Sequence, residues 1–127
     1  MKFKFLLALS VLCLISCQNT KEIELVKSGY FTNNKSKTVG QAVDGFFSDP
    51  KWESGIGVDG KTKGKTLVNM SGGMTYMEKS VNAKIQFMVD VEKSSFQLSA
   101  FELNGIPQNQ LLILTLINKM FEGQEAS

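Results

Sequence analysis

The chain has 127 residues, with 14 Lys, no Arg, no His, 12 acidic residues and two Cys. Without His there is no imidazole general base, no Ser-His or Cys-His nucleophile and no imidazole metal ligand. Without Arg there is no bidentate fork for carboxylate or phosphate, so anion recognition falls to Lys or to backbone N–H groups. These absences weigh against nearly every catalytic mechanism, and neither a cofactor nor a metal is expected.

In chain order the first element is an export signal. Lys2 and Lys4 precede an apolar run over residues 5–15, FLLALSVLCLI. A permanent helix across a hydrocarbon core of about 30 Å takes about 20 apolar residues, so this run is a signal rather than a span. It ends in Leu14-Ile15-Ser16-Cys17, which resembles the lipobox of bacterial lipoproteins. That resemblance implies removal of residues 1–16, a diacylglyceryl group on the Cys17 thiol and acylation of the new amino terminus. Two or three acyl chains anchor stably where one does not, because each buried CH₂ contributes about 0.8 kcal/mol.

Cleavage there leaves 111 residues with 12 Lys against 12 acidic side chains. The basic excess of the full chain belongs to the signal, and no nucleic-acid partner is expected. Cys13 leaves with the signal and Cys17 carries lipid, so no disulfide remains to be made. The expected location is the bacterial cell envelope, with the membrane held through the N-terminal lipid. Gln18 is not the Asp associated with inner-membrane retention, so the outer membrane facing the periplasm is expected where there are two membranes.

Residues 17–37 are polar and rich in turn formers, and read as a lipidated tether with one short strand over residues 22–27, around Ile23, Leu25 and Val26. A single domain then occupies residues 38–123, followed by a tail at 124–127. Thr38 is placed as an N-cap, and Val39, Ala42, Val43, Phe46 and Phe47 follow at the spacing of a short amphipathic helix that Asp49-Pro50 ends. From Trp52 the period becomes two, with residues 59–65 as a hairpin turn. Strands are expected over 67–70 and 74–77, with Ser71-Gly72-Gly73 as a bulge or turn between them. The clearest strand is residues 81–92, where Val81, Ala83, Ile85, Phe87, Val89 and Val91 take one face and polar side chains the other. One buried and one wet face is the mark of an antiparallel sheet covered on a single side. A further strand over 96–103 ends at Asn104-Gly105. Residues 107–110 start a last helix, with Ile113, Leu116, Ile117, Met120 and Phe121 as its stripe and Gly123 as its stop. Leu111, Leu112 and Leu114 widen that stripe, which fits either a well-buried helix or a dimer contact. The expected fold class is α+β: a short helix, a four-stranded antiparallel sheet and a C-terminal helix packed on one face.

Residues 55–62, GIGVDGKT, satisfy the phosphate-loop pattern G-x-x-x-x-G-K-[ST], and Gly55, Gly57 and Gly60 also satisfy G-x-G-x-x-G. Both motifs need a buried strand before the loop and a helix after it. Here Pro50 lies upstream and Lys63-Gly64-Lys65 downstream, with no apolar helical stripe, so the loop is expected to be a hairpin turn. Asp90, the one candidate for a magnesium partner, falls on the wet face at a strand end.

The remaining candidate partner contacts are Lys61, Lys63, Lys65 and Trp52. The three Lys alternate along one turn, and suit an anionic headgroup, a glycan phosphate or an acidic protein if they are more than a solvated turn. Trp52 is either a core plug or, with Tyr30, Phe31 and Tyr76, the lining of a groove. Glu53 and Asp59 flank the turn, and Asp90 and Glu92 share one wet face, so no carboxylate pair is placed for acid/base work.

Thr38-Val39-Gly40-Gln41-Ala42, Phe46-Phe47, Pro50-Lys51-Trp52, Gln86-Phe87, Phe96 and the run Asn104-Gly105-Ile106-Pro107-Gln108-Asn109 together resemble a small extracytoplasmic domain. It occurs in bacterial lipoproteins and in membrane proteins with an N-terminal zinc ribbon. This chain has a lipid anchor where those have the ribbon. The resemblance implies one domain outside the cytoplasm and implies no activity. Two functions follow as expectations. One is a non-enzymatic, lipid-anchored envelope protein that binds another protein or an envelope component. The other is a surface-exposed inhibitor or exclusion factor that blocks an enzyme or phage component with the loop at 59–65.

Overall fold

The computed structural model describes residues 20–32 and 34–122. The signal run, the lipobox with Cys17, and the tail at 124–127 lie outside the described residues. The fold is α+β: helices on one face of a five-stranded antiparallel meander, in the order β1-β2-β3-β4-β5. None of the described helices is long and apolar enough to cross a membrane.

The first helix, α1 (Lys21–Lys27), replaces the expected strand at 22–27. Two local features decide for helix. Thr20 is an N-cap whose side chain accepts a hydrogen bond from the Ile23 N–H at 3.2 Å, and Glu22 and Glu24 in the first turn with Lys27 in the last complement the helix dipole. Ile23 and Val26, one turn apart, are buried in the core. The stretch 17–37 is therefore not tether throughout, because the folded domain reaches back to Thr20. The second helix, α2 (Val39–Phe46), opens at the expected N-cap Thr38, where the structure adds a full capping box with Gln41, and buries Val39, Ala42, Val43 and Phe46.

β1 (Ser48–Ile56) begins ahead of Trp52 and runs straight through Pro50. It is an edge strand, so the N–H that Pro lacks is not needed by a second neighbour. A bulge sits at that point: Ser48 pairs with Gly73 and Lys51 with Ser71, so β1 has one residue more than its partner, and Asp49 takes a positive φ of 51°. β2 (Thr66–Tyr76) is continuous through Ser71-Gly72-Gly73, which is neither bulge nor turn. Gly72 is there because Phe47 lies directly over it; a Cβ on Gly72 would stand 2.9 Å from the Phe47 Cβ.

β3 (Lys79–Asp90) pairs with β2 along its whole length, and Ala83, Ile85, Phe87 and Val89 alternate into the core as expected. β4 (Ser95–Leu103) changes face midway. Gln86 pairs with Ala100 but Phe87 with Leu98, so an extra residue at Ser99 puts Phe96 and Leu98 on the same side as Phe101 and Leu103. The fifth strand, β5 (Ile106–Pro107), corrects the expected count of four. Asn104 and Gly105, with φ of 50° and 80°, form a two-residue hairpin that folds Ile106 and Pro107 back onto Leu103 and Glu102. The last helix, α3 (Gln110–Glu122), buries Ile113, Leu116, Ile117, Met120 and Phe121. The Leu112 N–H donates to the Asn109 side chain at 2.9 Å, capping its first turn.

The sheet has two distinct ends, about 34 Å apart along an eleven-residue strand rising 3.4 Å per residue. At one, here the loop end, lie residues 57–65 between β1 and β2, with α1 crossing the sheet above it: Thr20 Oγ is 3.2 Å from Ser54 Oγ on β1, and Gly29 abuts the ring of Phe96 on β4. At the other, the hairpin end, β2 turns into β3 through Met77 and Glu78, beneath α2 and α3.

Candidate binding surfaces

The loop at 57–65 is tied to itself. The Gly57 N–H donates to the Lys65 carbonyl at 2.9 Å, the Gly64 N–H to the Gly57 carbonyl at 2.9 Å, and the Lys65 N–H to the Thr62 carbonyl at 2.9 Å. Gly60–Thr62 forms a single 3-10 turn, and Gly60 and Gly64 hold φ of 64° and 78°. A Cβ on Gly57 would overlap the Thr62 carbonyl. The glycines thus serve the turn's own closure. Strand, turn and strand follow one another, and no helix follows Thr62 to present its N-terminus to a phosphate. Asp90 is exposed at the end of β3, as expected. What the loop shows to solvent is mixed: Lys61, Lys63 and Lys65 are all exposed, and so are Ile56 at 60% and Val58 at 82%. The apolar pair was not among the residues singled out in the sequence. β1 ends at Ile56, beyond the cover of α1.

Trp52 stands apart from the three Lys. It faces inward from β1, half-buried, with its ring stacked on Phe87 at 6.3 Å and 19°. The Lys27 ammonium of α1 lies 5.9 Å from the ring centroid, within cation–π range. Phe31, Phe87 and Phe96 complete an aromatic cluster, with Phe31 6.2 Å from Phe87, 6.1 Å from Phe96 and 5.6 Å from Phe121 of α3. Trp52 and Phe31 are therefore core side chains. They form no groove with Tyr30, which is exposed, or with Tyr76, which lies at the hairpin end.

The hairpin end has a feature that alternation and motif did not reveal. A groove of about 430 Å³ opens between the β2–β3 turn and α3, walled by Phe46, Met74, Tyr76, Met77, Leu112 and Leu116, with Glu78 and Lys119 at its rim. Its lip is backbone-strained: Met77 and Glu78 both take positive φ, 52° and 65°. A two-residue turn of this hand is normally built from Asn-Gly or Asp-Gly. Met77 is 77% exposed at the tip, and Leu111 and Leu114 are exposed on α3 outside the groove lining. The sequence signal was present in the pair Met77-Glu78, which has no turn former, but it becomes visible only once the register pairs Tyr76 with Lys79. A second depression, of about 580 Å³, lies at the loop end between Lys65 and the β3–β4 turn, lined by Asp90, Glu92 and Lys93 among other polar groups.

Among the described residues no group of three His, Cys, Asp or Glu side chains gathers as a metal site. Compared with protein-family models, with curated proteins and with solved structures, the chain matches none.

Proposed function

We propose that this chain is a non-enzymatic envelope protein, held to the membrane by lipid on Cys17, whose domain grips an apolar side chain of another envelope protein in the groove at the hairpin end. The support is the groove itself. Met74 and Met77 are unbranched and adapt their shape to an incoming side chain, Leu112 and Leu116 give it an apolar floor, and Glu78 and Lys119 offer one charge of each sign at the rim to orient a partner. Strained backbone recurs at ligand clamps and switch regions, where the surrounding structure holds it in place.

A photo-crosslinking residue in place of Met77, in the full-length chain in intact cells, tests this. The expected outcome is a discrete adduct with one envelope protein, and the same substitution at Glu92, at the loop end, gives none. No adduct from position 77 overturns the groove as the contact. An adduct from the loop at 59–65 with a foreign enzyme or phage component instead supports the inhibitor alternative. The anchor is tested separately: Cys17→Ala should abolish incorporation of labelled fatty acid and release the protein from the membrane fraction.

A further inference from the structure

We infer that the loop end of the domain rests on the bilayer that holds the anchor, with Val58 entering the headgroup layer and Lys61 and Lys63 meeting anionic phospholipid. This rests on the lipid anchor proposed above. Its basis is where the described chain begins. Only Gln18 and Asn19 separate Cys17 from Thr20, and an extended chain advances at most about 3.6 Å per residue, so Thr20 stays within about 11 Å of the acylated residue. Thr20 is the N-cap of α1, packed in place with its hydroxyl 3.2 Å from Ser54 Oγ on β1. Ser54 is two residues before Ile56, where β1 runs out into the loop. The anchor therefore delivers the bilayer to the same end of the sheet that exposes Ile56, Val58, Lys61 and Lys63.

That surface suits an interface between lipid and water. Val58, 82% exposed in water, gains a partly apolar setting, and the Lys side chains keep their ammonium groups among phosphates while their stems lie along the apolar boundary. Asp59 within the loop, Asp90 at the end of β3 and Glu92 in the turn after it limit the attraction. Strong affinity is not required, because the anchor already holds the loop at high local concentration over the membrane. With the loop end on the bilayer, the groove at Met77 lies at the opposite end of β2, about 34 Å along the strand, where a partner can reach it.

The mature chain offers a simple probe, since its one natural Cys is the acylated one. Val58→Cys in the full-length, processed lipoprotein is labelled with an environment-sensitive fluorophore and reconstituted in phosphatidylglycerol-containing vesicles, and Met77→Cys serves as the distant control. Lipid-borne quencher should reduce emission at position 58 by at least about threefold more than at position 77, and Lys61→Gln with Lys63→Gln should shrink that difference on anionic but not on zwitterionic vesicles. Equal quenching at the two positions in protein that incorporates fatty acid overturns the docking and leaves the anchor standing. Absence of both fatty-acid incorporation and membrane association overturns the two together.

Discussion

In the loop at 57–65 the chain turns through glycine, and in the β2–β3 hairpin it does not. Gly60 and Gly64 carry the positive φ angles of the first turn, where a residue without Cβ adopts them at no steric penalty. Met77 and Glu78 carry those of the second, where each residue in the left-handed region costs about 1 kcal/mol or more. The packing beneath differs in the same sense. Under α1 lies a closed aromatic cluster around Phe87, which is fully buried. Under the hairpin turn lies an open groove. A relaxed turn beside a polar depression and a strained turn beside an apolar groove suggest different duties, the first holding the domain's shape and the second meeting a partner.

The largest expected effect tests the filled core. Phe87→Ala should destabilise the domain by about 3–5 kcal/mol, measured by equilibrium urea unfolding, since Phe31, Trp52 and Phe96 lose the ring they share. Met74→Ala, beside the groove, should fall near 2 kcal/mol because its surroundings are already partly open. Equal losses at the two positions would erase the packing contrast. Ile23→Ala then locates the domain boundary: a core residue of α1 should cost about 2–4 kcal/mol, whereas a tether residue would move stability by less than about 0.5 kcal/mol.

The third effect has the opposite sign. Met77→Asn with Glu78→Gly gives the hairpin end the turn chemistry that its geometry requires, and should raise stability by about 1–2 kcal/mol. It should also lower crosslinking to the proposed partner, the exchange of activity for stability expected where strain serves binding. A variant that is stabilised and binds unchanged would show the turn to be merely strained. A variant that is not stabilised would show that the long β2–β3 pairing holds either sequence equally well.

The elements that repeat a simple period are legible in the sequence. Thr38 with the apolar stripe from Val39 to Phe47 announces α2, and six alternating apolar residues announce β3. The misread elements are those whose pattern fits two periods or hides a shift. Ile23, Leu25 and Val26 satisfy both a strand and a helix, and only the Thr20 cap with the order of Glu and Lys decides. β4 contains its own clue, because Phe96 and Leu98 are even-numbered and Phe101 and Leu103 odd; a single face can hold all four only with an added residue between them. The groove was the least legible, since it is made by α2, α3 and the β2–β3 turn together. No local pattern in any one of them encodes the gap between all three.

The smallest effect concerns the residue that the phosphate-loop pattern singles out. Lys61→Ala should change stability by less than about 0.5 kcal/mol, because the side chain is exposed and the turn is closed by backbone bonds from Gly57, Gly64 and Lys65. Titration of the chain with ATP should be flat with and without the substitution. A phosphate site of this pattern needs successive N–H groups converging at the head of a helix. Here the Gly57, Gly64 and Lys65 N–H groups already donate to carbonyls of the same loop, and the chain continues as β2. Saturable micromolar binding of ATP, lost in Lys61→Ala, would mean that those bonds open to admit a ligand. The loop end would then be the responsive end of the molecule, and the contrast with the hairpin end would be reversed.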